Sequence, residues 1–358
     1  MRSIVFMNQK GGVGKTTTAV NVAAGLALEG QRVLLVDIDP QAHATLHLGI
    51  ETGPGRPSVY DLLIRGARFD EVARDGPERL TVLPAHIDLV AADNELAEIS
   101  DRELVLARAL EPQRGRFDFL LLDCPPSLNL LTVNALAAAD EVIIPLQPHF
   151  LALQGLGKLL ETVSLVRGVL KPALRVSGIV FCMDERGTRL AQEVFADVSQ
   201  YVREAEFQDA WFGARVFDAR IRRNIRLAEC PSFGRTIFDY APRSHGAQDY
   251  RALSSEILAM GAGEPSGDAA RHEAVASETT PGFAGAVIAD GRASDPAVIE
   301  ALAVGPRWEA NPKGPQAVIV ERPGGDRLAA VEDPAGDAVE SSAQPPRTGP
   351  MPRDVADT

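Results

Sequence analysis

Cysteine and long apolar runs are both scarce in this chain of 358 residues. Its three cysteines, Cys124, Cys182 and Cys230, lie far apart and form no CxxC pair. This usage is typical of free thiols in a cytosolic protein. No apolar run approaches the roughly 18 residues of a membrane-spanning helix, and Met1 leads directly into an apolar segment instead of a secretion signal. We therefore expect a cytoplasmic protein.

Positive charge is also in short supply, because the formal net charge at pH 7 is −13. Taken alone, this value argues against a nucleic-acid partner. The segment from Arg215 to Arg243 is the exception, with seven arginines against three acidic residues. An arginine cluster in an acidic chain indicates a phosphate-binding patch with low sequence specificity and strong salt dependence. The composition leaves open whether individual arginines are solvated or pair within the fold.

Composition divides the chain near Gly263. Residues 264–358 hold 12 of the 25 prolines, with 16 acidic and 8 basic residues. Such a segment, with few aromatics, cannot bury enough surface to offset its ordering entropy. We predict an ordered domain over 1–263 and a mostly disordered tail over 264–358. Two apolar pieces of the tail, 316–320 and 328–331, are candidates for a hairpin, although two strands alone are rarely stable in water.

Apolar runs of four to eight residues alternate with helical patterns throughout residues 1–263. This alternation predicts parallel βαβ units, assembled into a doubly wound, mostly parallel sheet with helices on both faces. The predicted strands are 3–8, 32–37, 81–84, 119–123, 141–146, 175–182 and 236–238.

A glycine-rich turn follows the first predicted strand and leads into a helical pattern. Strand, glycine turn and helix N-terminus form the setting of a phosphate-binding loop, in which backbone N–H groups and the helix dipole hold an anion. Lys15 then supplies charge for the β- and γ-phosphates, and Thr16 supplies a hydroxyl for Mg²⁺. The residues expected to contact the nucleotide here are Lys10, Gly11, Gly12, Val13, Gly14, Lys15, Thr16 and Thr17.

Two further predicted strands end in acidic residues. One leads to Asp37 and Asp39, which alternate by two and should share a face, and the other ends at Asp123. Carboxylates at the C-terminal ends of parallel strands lie where open α/β sheets place their ligands. Asp123 follows the pattern of a Walker B strand and would hold Mg²⁺ through water. Because phosphoryl transfer is mostly positioning and electrostatics, Asp39 fits a water-orienting role.

Together these elements resemble the ParA/MinD group of P-loop ATPases. Lys10 is the deviant second lysine of that group, and Gln9 stands where the usual loop has its first glycine. The strings Asp-x-Asp-Pro-Gln at 37–41 and Asp-Cys-Pro-Pro-Ser at 123–127 are similar to its acidic motifs, and the second is typical of the ParA branch. The resemblance covers residues 1 to about 260. Where the family continues Gly-Asn-Ala-Thr, residues 42–45 read Ala-His-Ala-Thr.

The resemblance implies slow, Mg²⁺-dependent ATP hydrolysis in a homodimer that forms with ATP. It implies that Lys10 reaches the partner's nucleotide, that Asp39 positions or polarises the attacking water, and that Asp37 supports the Mg²⁺ shell. Gly12 is expected to lie against the partner. The cysteine positions weigh against the iron–sulfur ATPases that share the deviant loop, since those need cysteine ligands at the dimer interface.

Residues 221–234 resemble another family motif, Ile-Pro-Arg-Asn followed by Leu-x-Glu-Ala-Pro-Ser-x-Gly. This likeness implies that Asn224 and Pro231 lie beside the adenine. Arg222 replaces the usual proline and adds positive charge. We therefore predict DNA contacts from Arg220, Arg222 and Arg223.

The resemblance favours a chromosome- or plasmid-partitioning ATPase that binds DNA non-specifically on the nucleoid and responds to a ParB-like activator. One alternative is a MinD-like membrane-patterning ATPase. Such proteins bind lipid through a C-terminal basic amphipathic helix, which residues 350–358 do not provide, so no membrane partner is expected. A ParA-like positioner of protein cargo stays open. A metabolic ligase or kinase would need a second-substrate motif, and none is visible.

Overall fold

The computed structural model describes residues 1–53, 55–185, 187–262, 319–321 and 327–329. The chain divides into two units, Met1–Pro306 and Arg307–Thr358. The described strands of the first unit are β1 (Arg2–Phe6), β2 (Val33–Asp37), β3 (Arg74–Asp75), β4 (Leu80–Leu83), β5 (Phe119–Asp123), β6 (Glu141–Leu146), β7 (Arg175–Asp184), β8 (Arg215–Val216) and β9 (Ile221–Arg222).

These strands form one sheet in the order β3-β4-β2-β5-β1-β6-β7-β8, with β9 also paired to β7. Pairing is parallel throughout, except that β3 runs antiparallel to β4. The helices are α1 (Lys15–Leu28), α2 (His43–His47), α3 (Val59–Ile64), α4 (Phe69–Val72), α5 (Leu89–Leu96), α6 (Val105–Leu110), α7 (Leu130–Ala138), α8 (Ala152–Val169), α9 (Arg189–Arg203), α10 (Ile225–Glu229), α11 (Ile237–Tyr240) and α12 (His245–Ala262). Short 3₁₀ turns occupy Arg102–Leu104, Glu111–Gln113 and Cys230–Phe233.

Two hydrophobic cores lie on opposite faces of this sheet. Successive residues of each central strand point to alternate faces, so Leu34 and Val36 of β2 enter one core while Val33 and Leu35 enter the other. The first core is completed by residues of α3, α5, α6, α7, α8 and α9. The second is completed mainly by α1, α11 and α12. Burial on both faces explains why the strands read as continuous apolar runs.

The doubly wound fold predicted from the sequence is confirmed, and six of the predicted strands correspond to β1, β2, β4, β5, β6 and β7. The seventh prediction, a strand over 236–238, is wrong, because Ile237–Tyr240 forms α11. Thr236 is the N-cap of this helix, and its hydroxyl oxygen accepts from the backbone N–H of Asp239 at 3.4 Å and donates to the Asp239 carboxylate at 2.7 Å. This reciprocal cap outweighs the β-propensity of Thr-Ile-Phe.

The described part of the second unit is an antiparallel hairpin, in which β10 (Ile319–Glu321) pairs with β11 (Arg327–Ala329). It corresponds to the candidate hairpin of the tail. The predicted disorder of the tail and its boundary at residues 263 and 264 lie outside the described residues. All three cysteines are free and buried. Among the helices that the structure describes, none is both long enough and apolar enough to cross a membrane.

Candidate functional site

The predicted nucleotide residues converge at one edge of the sheet. Strand β5 lies between β1 and β2, and its last residue, Asp123, is in register with Phe6 on one side and Asp37 on the other. Because the three strands run parallel, the glycine loop after β1 and both carboxylates meet at their C-terminal ends. This edge is where a doubly wound sheet places a ligand.

The glycine loop is built as an open cradle. Gly14 has a φ of 93° and is the N-cap of α1, a left-handed conformation that favours glycine. No side chain caps the first N–H groups of α1, which leaves them available to an anion. A Cβ added to Gly11 or Gly12 would meet nothing within 4 Å, so the loop faces free space there. Buried Val13 anchors the loop from behind.

Lys15, the first residue of α1, is buried inside this loop, and its ammonium donates to the carbonyl oxygen of Lys10 at 3.2 Å. Burial lowers the pKa of Lys15, while the charges of Asp123 and Asp39 act in the opposite direction. Thr16 and Thr17 follow it and are half-buried. A cation is thus held beside the carboxylates, in a place where phosphate oxygens would replace its carbonyl partner.

Asp123 is the carboxylate without a hydrogen-bond partner. Both of its oxygens are buried and make no well-formed hydrogen bond with a described residue, and the Thr16 side chain is the one donor close enough to act on the carboxylate. Burial raises its pKa well above the ordinary range and the Asp37 charge adds to this, whereas the Thr16 side chain lowers it. A buried carboxylate beside a hydroxyl, without a donor of its own, fits a hydrated Mg²⁺ ion, because such an ion supplies both charge and water donors.

Asp37 is in the opposite situation, because its carboxylate already accepts three hydrogen bonds. The donors are the Thr45 backbone N–H at 2.9 Å, the Thr45 hydroxyl at 2.7 Å and the Asp39 backbone N–H at 3.1 Å. Burial raises its pKa to about 6, and the hydrogen bonds from Thr45 limit that rise. The Thr45 oxygen also accepts from the Ala85 N–H at 2.9 Å. Asp37 therefore holds the segment that follows β2.

Asp39 lies in that segment, 7% exposed, at the same edge as Lys15. One of its carboxylate oxygens accepts from the Gln41 backbone N–H at 2.9 Å. The chain then turns at Ala42, which has a φ of 54° and begins α2. Asp39 is thus a largely buried carboxylate, held by the backbone and close enough for its charge to act on Lys15.

Lys10 lies exposed at the tip of the loop, and its ammonium is 2.7 Å from Nε2 of His149. Asn8 links the loop to β6 itself. Its side-chain amide donates to the Pro145 carbonyl at 2.8 Å, and its side-chain oxygen accepts from the Lys10 N–H at 3.0 Å. The sequence analysis missed Asn8, Thr45 and His149 as site residues. The one available signal was position, since Thr45 follows β2 and His149 follows β6.

Asn224 and Pro231, the predicted adenine contacts, lie at the N-cap of α10 and in the 3₁₀ turn that follows it. The Asn224 side chain caps α10 by accepting from the Arg226 N–H at 2.9 Å, and Pro231 lies in the 3₁₀ turn Cys230–Phe233. Residues 223–235 approach the segment that follows β2 at Gly234 and Gly49. A Cβ on Gly234 would lie 2.8 Å from Cα of Gly49.

The three predicted DNA-contact arginines differ in their surroundings. The Arg220 guanidinium lies 3.5 Å from the ring centroid of Phe195 and its side chain is 18% exposed. Arg222 makes a two-pronged contact with the Asp249 carboxylate. The Arg223 side chain is 67% exposed, and it forms an ion pair with Glu185 at 3.0 Å. All three arginines thus have a partner within the fold, but the pair of Arg223 is exposed while Arg220 and Arg222 are more enclosed.

Comparison with known proteins gives a family match, close relatives and similar solved structures. A family model described as "AAA domain" matches residues 1–176. The chromosome-partitioning ATPase Soj of Treponema pallidum is 46% identical over 259 residues, which cover 72% of this chain and 97% of the relative. The sporulation initiation inhibitor protein Soj of Bacillus subtilis is also 46% identical, with coverage of 72% and 98%. A crystal structure described as cobyrinic acid a,c-diamide synthase from Mycobacterium smegmatis, with bound ADP and magnesium, is 35% identical, with a TM-score of 0.61 and coverage of 72% and 94%.

Proposed function

Because the chain belongs to the ParA/Soj family of chromosome-partitioning ATPases, we propose that it is an ATP-driven DNA-segregation switch. In this proposal the chain binds Mg²⁺-ATP, dimerises, binds DNA non-specifically on the nucleoid and returns to the monomer when a ParB-like protein stimulates hydrolysis. The observation that carries it is the open glycine cradle beside the unpartnered carboxylate of Asp123.

Each step of nucleotide binding has a residue at the site. The N–H groups of the loop and of α1 bind the phosphates, and Lys15 moves from the Lys10 carbonyl to the β- and γ-phosphate oxygens. Thr16 and Asp123 hold Mg²⁺, with Asp37 fixing the neighbouring segment. When bound, Mg²⁺ would offset the negative charge of the phosphates. Asp39 orients the attacking water.

Exposed apolar side chains at the same edge support an ATP-bound homodimer. Leu46, Ile87, Val90 and Phe150 are each at least half exposed, and Phe150 is 80% exposed. All four lie in segments that follow the C-terminal ends of β2, β4 or β6. Apolar surface gathered around a ligand site is typical of a protein interface. A second copy placed here would receive Lys10 at its own nucleotide.

DNA binding is supported by the arginines that keep solvent access. Arg223 is largely exposed, and Arg215, Arg235 and Arg243 are exposed as well. Dimerisation doubles this surface, which favours attraction to the phosphate backbone. Arg220 and Arg222 are expected to contribute less to DNA binding, because Phe195 and Asp249 already engage their guanidinium groups.

The test follows Asp39→Ala by size exclusion with light scattering and by duplex-DNA binding at several salt concentrations. We expect a monomer without nucleotide, a dimer with Mg²⁺-ATP, and DNA binding by the dimer that weakens steeply with salt. Lys15→Ala is the matched control and should stay monomeric. A protein that remains monomeric with ATP, or a dimer that ignores duplex DNA at low salt, contradicts the proposal.

An amide synthase is the second candidate, because the M. smegmatis structure of that description shares 35% identity with this chain. The Soj relatives share 46%, which favours partitioning. The two functions separate by what stimulates ATP hydrolysis. A synthase responds to a carboxylic acid and an amine donor, whereas a partitioning ATPase responds to DNA and a ParB-like protein. A dimer stimulated by neither would favour a protein cargo.

A further inference from the structure

The pairing of Lys10 with His149 has chemical consequences for both side chains. A lysine ammonium carries three donors and no acceptor, so Nε2 of the ring must accept at their separation of 2.7 Å. To accept from Lys10 at Nε2, the His149 ring has to be neutral with its proton on Nδ1. Burial lowers the pKa of His149, and the Lys10 charge lowers it further. In the part of the chain that the structure describes, Lys10 is the charged group that acts on this ring.

A second donor faces the other ring nitrogen. The Leu151 backbone N–H points at Nδ1 of His149, at 3.1 Å. A neutral imidazole has one acceptor nitrogen, so it cannot accept from Lys10 and from Leu151 at the same time. With the proton on Nδ1 the ring binds Lys10, and with the proton on Nε2 it binds the Leu151 amide and no longer holds Lys10.

The two donors that face the His149 ring belong to two different segments. Lys10 is the tip of the nucleotide loop, and Leu151 is the N-cap residue of α8, next to the exposed Phe150. We propose that His149 is a positioning residue for Lys10. In the nucleotide-free chain, the His149 ring binds the Lys10 ammonium. A change of ring tautomer then releases the ammonium toward the nucleotide of a second copy. This inference rests on the ATP-dependent dimer proposed above.

The release step balances without an added reagent. The Lys10 ammonium leaves Nε2 for phosphate oxygens, the proton on Nδ1 is exchanged through water for one on Nε2, and Nδ1 accepts from the Leu151 N–H. The net charge of the ring is unchanged. The Leu151 N–H gains an acceptor as the ammonium leaves. Ordering of the segment that contains Phe150 and Leu151 therefore accompanies the movement of Lys10 toward the nucleotide.

The first experiment reads the ring itself in the nucleotide-free chain. Nitrogen-15 NMR of the histidine side chains distinguishes an acceptor nitrogen from a protonated one, and His149→Gln identifies the signals by their loss. We expect Nε2 to be the acceptor in the wild type and to become protonated in Lys10→Met, with the pKa of His149 raised. The exposed His245 serves as the internal control and should not respond. An identical tautomer and pKa in both proteins would overturn the pairing.

The second experiment adds Mg²⁺-ATP to Asp39→Ala and records ring nitrogens and light scattering on one sample. We expect the dimer to show the same Nε2-protonated ring as Lys10→Met. A dimer whose His149 keeps the wild-type tautomer overturns this inference and leaves the proposed function standing. Absence of a dimer overturns the proposed function and the release step with it, while the first experiment still decides whether His149 holds Lys10.

Discussion

Asp37 and Asp123 lie opposite each other at the ends of β2 and β5, and their carboxylates have opposite surroundings. Asp37 accepts three hydrogen bonds from its own chain, whereas Asp123 makes no well-formed hydrogen bond with a described residue and has only the Thr16 hydroxyl beside it. One carboxylate is therefore committed to holding the fold, and the other is left for a cation. Because the two carboxylates differ in their hydrogen bonds, the same Asp→Asn substitution should affect stability differently at the two positions.

Asp123→Asn should abolish Mg²⁺-dependent ATP binding without lowering the stability of the nucleotide-free chain, because it removes a buried charge that has no donor. Asp37→Asn should cost about 1–3 kcal/mol of stability, because its new NH₂ group cannot accept from all the present donors. Urea denaturation and ATP titration measure the two effects. Asp118→Asn, in the exposed pair with Arg32, is the control and should retain ATP binding. Equal losses of stability in both site variants would contradict this contrast.

Asp39→Ala should bind ATP normally and stop turnover, because in the proposed mechanism the Asp39 carboxylate orients water and does not hold phosphate. Lys15→Ala should lose ATP binding altogether, since it removes the buried cation of the loop. Equilibrium binding of a fluorescent ATP analogue and phosphate release give the two readings. Normal hydrolysis by Asp39→Ala would exclude the role given to this residue.

Arg222→Ala and Arg223→Glu should separate a structural arginine from one available to DNA. Arg222 donates to Asp249, whose side chain is largely buried, so its loss should cost about 1–3 kcal/mol of stability. Arg223→Glu should leave the urea midpoint almost unchanged and weaken DNA binding, with a shallower salt dependence. Parallel denaturation and DNA titration check both. Intact DNA binding by Arg223→Glu would move the contact surface elsewhere in the arginine cluster.

Stability should fall in acid partly through His47. Burial lowers the pKa of His47 from 6.5 to about 4, so the unfolded chain takes up a proton that the folded chain refuses. The contribution of the neutral ring is complete above about pH 6.5 and is lost as the pH falls toward 4. Between pH 7 and pH 5 the wild type should therefore lose about 2 kcal/mol more than His47→Gln. Urea melts at the two pH values test this, with His245→Gln expected to match the wild type.

A chain that ends at residue 263 should fold, bind ATP and dimerise. The last described helix of the first unit, α12, ends at Ala262, and its Tyr250 and Leu253 are buried in the second core. The removed residues carry net negative charge, so DNA binding should be equal or tighter. Analytical ultracentrifugation with ATP and a DNA titration provide the measurements. An insoluble product would show that the boundary is misplaced.

The sequence predicted the sheet and the acidic edge because both depend on local patterns. Apolar runs buried on two faces marked β2 and β5, and parallel pairing then carried Asp37 and Asp123 to one edge. Patterns of this kind are silent about partners distant in the chain. His149 lies 139 positions from Lys10, and nothing beside it marks the contact.

The missed and mistaken elements have a similar origin. Strands β3, β8 and β9 are two residues long, too short for any alternation to register. At Thr236 one local signal overrode another, because a helix cap follows from a single side-chain bond while strand propensity is summed over neighbours. Arg220 and Arg222 looked like surface charge because Phe195 and Asp249, their partners, belong to distant helices.

The contact between Gly49 and Gly234 has a mechanical consequence. Both glycines have positive φ, and their backbones approach so closely that a Cβ on either one would meet the other at 3.2 Å or less. The segment that follows β2 and residues 223–235 therefore meet backbone to backbone, with no side chains between them. We therefore expect a displacement of the segment after β2 to shift residues 223–235 as well. If Asp39 and Asn224 act as proposed, loss of phosphate at one segment and release of the base at the other are mechanically coupled.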